Sequence, residues 1–397
     1  MNAFRSLSWP ARLAWIGAAL ALSVSVFGAF VRLSDAGLSC PDWPTCYGKA
    51  TWPGQVHEIE QANANFDRPV ETHKTWREQG HRIVAGTLGV LILALALLAV
   101  ARRRAETIML VGAAVAAAGG VLASMKGARL ESGVLSIVAL ALPVVAALRL
   151  PRAPPLRVAT LLLAVVIFQA MLGMWTVTWL LKPVVVMAHL LGGLTTFALL
   201  SWVALRLSGV GHVDDSLSRL RRFVWLGIVV LGVQIALGGW TSANYAAWSC
   251  GTNFPTCLGQ WWPQTDFREG FVLWRGIGVD YEGGILDGPA RTAIQLAHRI
   301  GALVAFLYLG WLSGVLARHG LRGCGRLLAV FLLVQVALGI ANVKLGLPLH
   351  VATAHVLVAV LLLFVLVFAL ARTQPRLDVK GISFPSPSGR RWRASAG

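Results

Sequence analysis

Ten apolar runs, each close to the length that crosses a bilayer, leave this chain of 397 residues few folds to choose from. Eight core runs lie near 13–31, 82–101, 158–178, 184–205, 223–241, 299–317, 327–343 and 351–371, and a further pair lies near 107–125 and 133–149. With 56% hydrophobic and only 13% charged residues, the chain is richer in such runs than any soluble domain of its length needs. The pattern predicts an all-α polytopic membrane protein with about ten spans.

The net charge of +18 invites a nucleic-acid reading, but its distribution argues against one. With the N-terminus placed inside, nearly all the excess falls on inside segments. Arg102-Arg103-Arg104, Arg219 to Arg222 and the tail Arg390 to Arg393 are the anchors. The outside segments come out near charge balance, as the positive-inside rule expects. The first apolar run is long and meets Arg32 without a small-x-small site, which favours an uncleaved span over a signal peptide. The expected home is a bacterial inner membrane, with both termini cytoplasmic and the two long loops periplasmic.

The chain is duplicated. Cys40-Pro-Asp-Trp-Pro44-Thr-Cys46-Tyr-Gly48 is echoed by Cys250-Gly-Thr-Asn-Phe-Pro255-Thr-Cys257-Leu-Gly259, with Trp52-Pro53 and Trp262-Pro263 following. His81-Arg82-Ile83 is echoed by His298-Arg299-Ile300. Gln169-Ala-Met-Leu-Gly173 precedes His189 by the same spacing that separates Gln335-Val-Ala-Leu-Gly339 from His355. The offset between halves drops sharply between the second and third core runs, where the extra apolar pair sits. That pair is expected to be a helical hairpin, 105–150, inserted in the first half only. It holds no His or Cys, and Gly119-Gly120 suits close helix contact. An even number of spans per half makes the repeats parallel. The expected organisation is an N-terminal bundle over 1–210, a C-terminal bundle over 211–372 and a basic tail over 373–397.

His81, His189, His298 and His355 fall near the outer ends of matched runs. A lone histidine there is most simply an interfacial residue; four in duplicate register are not. Two histidines facing each other inside a helix bundle are the usual axial pair for a haem iron, so the spacing predicts two bis-histidine sites. Glu78 lies one turn before His81, and Gln295 holds the same place before His298. A carboxylate moves protons and an amide does not; the plain alternative for Glu78 is a first-turn acid favoured by the helix dipole. Arg82 and Arg299 fit two readings equally, propionate partners or snorkelling interface residues. Cys40/Cys46 and Cys250/Cys257 read as two local disulfides in an oxidising compartment, with redox cycling of one pair as the sharper alternative. A zinc site fits their spacing poorly. Gln-x-x-Leu-Gly occurs at Gln169, Gln234 and Gln335 and reads as helix packing with a buried amide hydrogen bond.

At these residues the chain resembles the haem A synthase family. The likeness rests on Gly37-Leu-Ser-Cys40-Pro-Asp-Trp-Pro44, Glu78-x-x-His81-Arg82, Leu172-Gly-Met-Trp-Thr-Val-Thr178, His189-Leu-Leu-Gly-Gly193, Pro255-Thr-Cys257-x-Gly259-Gln-Trp-Trp-Pro263 and His298-Arg299. The resemblance implies two four-helix bundles related by pseudo-twofold symmetry. It implies a haem b cofactor between His298 and His355, and a substrate site for haem O around His81 and His189, with Glu78 as the important carboxylate. The implied reaction is oxidation of a methyl group of haem O to a formyl group for cytochrome oxidase biogenesis. Successive hydroxylations give a gem-diol that loses water. The partners of such a reaction are a haem O synthase and a quinol or other electron donor. A homo-oligomer is compatible with the sequence, and nucleic acid is not. The inserted hairpin departs from the minimal eight-span pattern.

Two other functions share some of these features. A dihaem b-type membrane electron-transfer protein would use the same histidine pairs, but would not need Glu78 or four histidines toward one side. A transporter built from parallel repeats would need broken helices or paired midplane charges, which the sequence lacks.

Overall fold

A computed structural model describes residues 7–150, 154–212 and 215–377. The basic cluster Arg390 to Arg393 and most of the tail over 373–397 lie outside the described residues. Among those residues, ten helices are long and apolar enough to cross a membrane. They are α1 (Trp9–Leu33), α2 (Thr72–Val100), α3 (Arg104–Met125), α4 (Arg129–Arg149), α5 (Pro154–Thr178), α6 (Pro183–Leu207), α7 (Arg221–Ala243), α8 (Gly288–Arg318), α9 (Arg322–Lys344) and α10 (Leu349–Arg372). The chain is thus an all-α polytopic membrane protein. Val90, Val115, Ile137, Leu303, Leu307 and Leu333 are each more than half exposed on its flanks. Water would penalise so wide an apolar surface; lipid does not.

Eight helices form two rings. In the first, α1 packs on α2, α2 on α5, α5 on α6 and α6 on α1. In the second, α7 packs on α8, α8 on α9, α9 on α10 and α10 on α7. The rings join where α6 meets α7 and α10, and where α1 meets α10. α10 is the most enclosed span. Lipid gives helices no hydrophobic drive toward each other, so close approach must supply the attraction. Small residues permit it: Ala11, Ala14, Ala18 and Ala21 line the buried stripe of α1, and a Cβ at Gly227 would strike Leu312.

The helices α3 and α4 pack on each other and, outside their own pair, on α2 and α5. Gly120 lies against Ser132 and Ser136, and Gly119 against Leu135, which lets the two backbones approach. Val100 and Leu150, which flank the hairpin, belong to one apolar cluster.

Two helices start earlier than their apolar runs. The run at 82–101 belongs to a helix that begins at Thr72, and the run at 299–317 to one that begins at Gly288, capped by the Asp287 side chain on the Ala290 amide. Hydropathy marks bilayer depth, whereas helix length follows main-chain bonding, so His81 and His298 sit well inside their helices rather than at the start. The first long loop also carries a helix, Val56–Asn65, with a capping box on Gln55 and Glu58 that its polar composition hides.

Replacing 104–149 by a short linker is expected to leave both rings assembled, because the hairpin packs mainly on α2 and α5 and its flanks Val100 and Leu150 share one apolar cluster. The thermal midpoint should fall by about 5 °C, the scale of one or two lost kcal/mol in a chain of this size. Loss of all folded protein would show that the hairpin is part of the ring core.

Candidate functional site

Each ring carries its histidines on diagonal helices. His81 is on α2 and His189 on α6; His298 is on α8 and His355 on α10. The members of each pair lie within electrostatic reach of one another across their ring. All four are half-buried. Beside each ring stands a glycine of the adjacent helix. A Cβ would come within 2.8 Å of His81 at Gly28, 3.2 Å of His189 at Gly173, 3.1 Å of His298 at Gly238 and 3.3 Å of His355 at Gly339. These glycines are what let the imidazole edges approach the neighbouring helix so closely.

The pairs fit a haem. Among the described residues no three or more His, Cys, Asp or Glu side chains gather as a metal cage. Two imidazoles on diagonal helices of one ring, with no further ligating side chains gathered around them, would suit a metal that arrives with four equatorial donors of its own.

Three histidines are held by glutamines. Gln169 Nε2 lies 3.0 Å from His189 Nδ1 and donates to the His189 carbonyl at 2.6 Å. Gln234 Nε2 lies 3.1 Å from His298 Nδ1 and donates to the His298 carbonyl at 3.1 Å. Gln335 Nε2 lies 3.1 Å from His355 Nε2. The repeated Gln-x-x-Leu-Gly element is therefore more than packing: glutamine and glycine, four residues apart, form one face that receives a histidine. Its signal in the sequence was the triple occurrence itself.

Glu78 is buried and fully bonded. Oε1 accepts from Arg82 at 2.5 Å, and Oε2 accepts from Ser39 Oγ at 2.9 Å and from the Cys40 amide at 2.8 Å. Gln295 is equally buried, and its Oε1 has no partner. Arg82 also donates to the carbonyls of Asp42 and Thr45, at 2.8 and 2.7 Å. Arg299 does the same in the second half, to Thr256 at 2.9 Å, Asn253 at 3.0 Å and Pro255 at 3.3 Å. Both guanidiniums thus grip the cysteine loops.

Those loops are the same device built twice. Cys40 is bonded to Cys46 and Cys250 to Cys257. Cys46 and Lys49 exchange two main-chain hydrogen bonds, as do Cys257 and Gln260. The two residues between are left-handed in each case, Tyr47 and Gly48 at φ 53 and 73, Leu258 and Gly259 at φ 52 and 78. Such a turn needs positive φ at both central positions, which is why Thr-Cys-x-Gly recurs. Cys324 is a buried free thiol far along the chain from either pair.

A family model described as cytochrome oxidase assembly protein, COX15-CtaA, matches residues 11–130 and 127–367. A haem A synthase of Shewanella oneidensis is 36% identical over 365 residues, 91% of this chain and 94% of that protein. One from Cereibacter sphaeroides is 26% identical over 372 residues, 86% of this chain and 82% of its own length. One from Rhizorhabdus wittichii is 29% identical over 182 residues, 46% of this chain.

Arg82→Ala would strip the first loop of its carbonyl anchor and leave Glu78 buried without its cation. Local opening of residues 40–49 is expected to become easier by about 3 kcal/mol, read as faster amide exchange there. Exchange in 250–260 should be unchanged.

Proposed function

This chain belongs to the COX15-CtaA family of cytochrome oxidase assembly proteins, and we propose that it carries out the haem A synthase reaction with its N-terminal ring as the catalytic half. It is a membrane oxidoreductase whose substrate is haem O and whose product is haem A. His81 and His189 are assigned to the substrate haem, and His298 and His355 to a haem b cofactor. The observation that carries the assignment is a difference in proton chemistry between matched sites: Glu78 in one, Gln295 in the other.

A haem held between such histidines supplies the oxidation chemistry, while the protein supplies position, electrons and proton paths. Glu78 suits the proton path. The one proton of Ser39 Oγ has two acceptors in range, Glu78 Oε2 and the Ala36 carbonyl, both at 2.9 Å. With Glu78 ionised, the hydroxyl turns toward it. With Glu78 protonated, the hydroxyl turns to Ala36 and accepts from the carboxyl. Neither state leaves a buried orphan, so the proton can come and go without disturbing the loop. Arg82 and Arg299 are assigned to loop anchoring instead of haem propionates, because their donors meet loop carbonyls. The bilayer is taken to be a bacterial inner membrane with the cysteine loops periplasmic and the termini cytoplasmic, following the charge bias. A quinol or protein electron donor and a haem O synthase are the proposed partners.

Co-expression with a haem O synthase under aerobic conditions is expected to yield haem A in extracted pigments. Haem b with unmodified haem O alone, from correctly inserted protein, would point to an electron carrier instead. Glu78→Gln should lower haem A formation by about 100-fold or more while C-terminal haem b stays at wild-type content. His298→Ala or His355→Ala should lower both together. Full activity in Glu78→Gln would make Glu78 structural.

A further inference from the structure

The glutamine support is uneven between the halves. Aligned through Gly28 and Gly238, the place of Gln234 is taken in the first half by Val24. His81 instead lies against the main chain of the first helix at Val24, and its Nε2 is the atom that a Cβ at Gly28 would meet. The space for the glutamines is also uneven. A Cβ at Gly192 or Gly301, each three residues beyond a clamped histidine, would collide with the Gln169 or Gln234 amide. Val84 stands at that place after His81, and Val358 after His355.

The chemistry of ligation gives this pattern a meaning. A histidine that binds iron through Nε2 carries its proton on Nδ1, and the partner at Nδ1 fixes the ring and its basicity. Gln169 and Gln234 lie against Nδ1, so the ring's other nitrogen is the one left for the interior. Their Oε1 atoms are buried without partners. A carboxamide can serve either tautomer, its N–H donating to a bare Nδ1 or its oxygen accepting from Nδ1–H. His81 has no such side chain, and its Nε2 is engaged with α1.

We propose that Gln169 and Gln234 are positioning residues that hold His189 and His298 as ready iron ligands, and that valine at position 24 makes His81 the releasable ligand through which the N-terminal ring exchanges its haem. The proposal rests on reading that ring as the substrate site. A substrate must enter and a product leave at every turnover, whereas a resident cofactor stays. One clamped and one released histidine meet the first need; in the second half Gln234 clamps His298 at Nδ1, and Gln335 adds a side-chain contact to His355, at its Nε2, whereas His81 has no glutamine at all.

Reciprocal swaps in the full chain test it. Gln234→Val copies the first half into the second, and Val24→Gln with Val84→Gly does the reverse. Purified protein is mixed with apomyoglobin and haem transfer is followed by absorbance, with the low-spin bis-imidazole signal and midpoint potential measured alongside. Gln234→Val should release haem b about tenfold faster and shift its midpoint potential. Gln234→Glu, which keeps an acceptor for Nδ1–H, should restore retention with a lowered potential. The Val24→Gln, Val84→Gly protein should release its N-terminal haem about tenfold more slowly. Wild-type release and potential in Gln234→Val would reduce the glutamine to packing and overturn the proposal. The expected changes in the C-terminal swaps with unchanged N-terminal release in Val24→Gln, Val84→Gly would overturn its account of His81. Wild-type protein without any bis-imidazole haem would instead remove the underlying reading, before a variant is made.

Discussion

Inside a bilayer the chain must satisfy its own main-chain N–H and C=O groups, and the rest of this structure follows from that. Helices consume nearly every backbone partner, so chemistry in the rings falls to side chains. An ionisable side chain there is costly unless something receives it. The glycine beside each histidine and the glutamine beside three of them are receptors of this kind. Glu78 is received by the one irregular backbone within reach, the cysteine loop, whose Cys40 amide is not spent on a helix.

The loops also decide how the rings sit. Arg68 of the first loop pairs with Glu282 of the second and donates to the Leu38 carbonyl. The Tyr281 amide donates to Leu180 at 3.1 Å, and Trp274 stacks over buried Lys182, whose Nζ lies 3.4 Å from the ring centroid. At the opposite end Arg206, buried at the end of α6, donates to carbonyls of Val210, Ala371 and Pro375. A cation at a helix C-terminus is well placed there, since it answers carbonyls that the helix leaves open. With the rings tied at both ends, the two histidine pairs keep a fixed relation, which suits electron passage between them better than a hinge would.

Much of this was legible in the sequence. Span count and the hairpin follow from hydropathy, because bilayer thickness sets the length of an apolar run. The four histidines stood out because polar residues in such runs are rare and these recur in register. Contacts between distant segments were harder to read. Gln234 and His298 are 64 residues apart, and nothing in a helical period links them. Arg82 and Arg299 left two readings open because a guanidinium at a membrane interface has many acceptors; the fold supplies the carbonyls of one particular turn. The early starts of α2 and α8 were hidden because their first turns are polar and carry no apolar period.

Duplication makes each half a reference for the other. Positions kept in both halves carry what the proposed bis-histidine sites would share: the histidine, its flanking arginine, the wall glycine and the cysteine turn. Shared need explains these and says nothing about a division of labour. The departures are more informative, because helix packing alone would tolerate the same residue twice. Glu78 against Gln295 changes what can hold a proton, and Val24 against Gln234 changes what holds a ring, with almost no change in shape at the first pair. Both departures fall beside the same first-half histidine, His81 lying one turn from Glu78 and against the main chain at Val24. A ring that carries a titratable group and lacks a clamp on its nearest histidine differs from its partner in the two respects that, on the proposed assignment, separate turning over a bound group from merely keeping it.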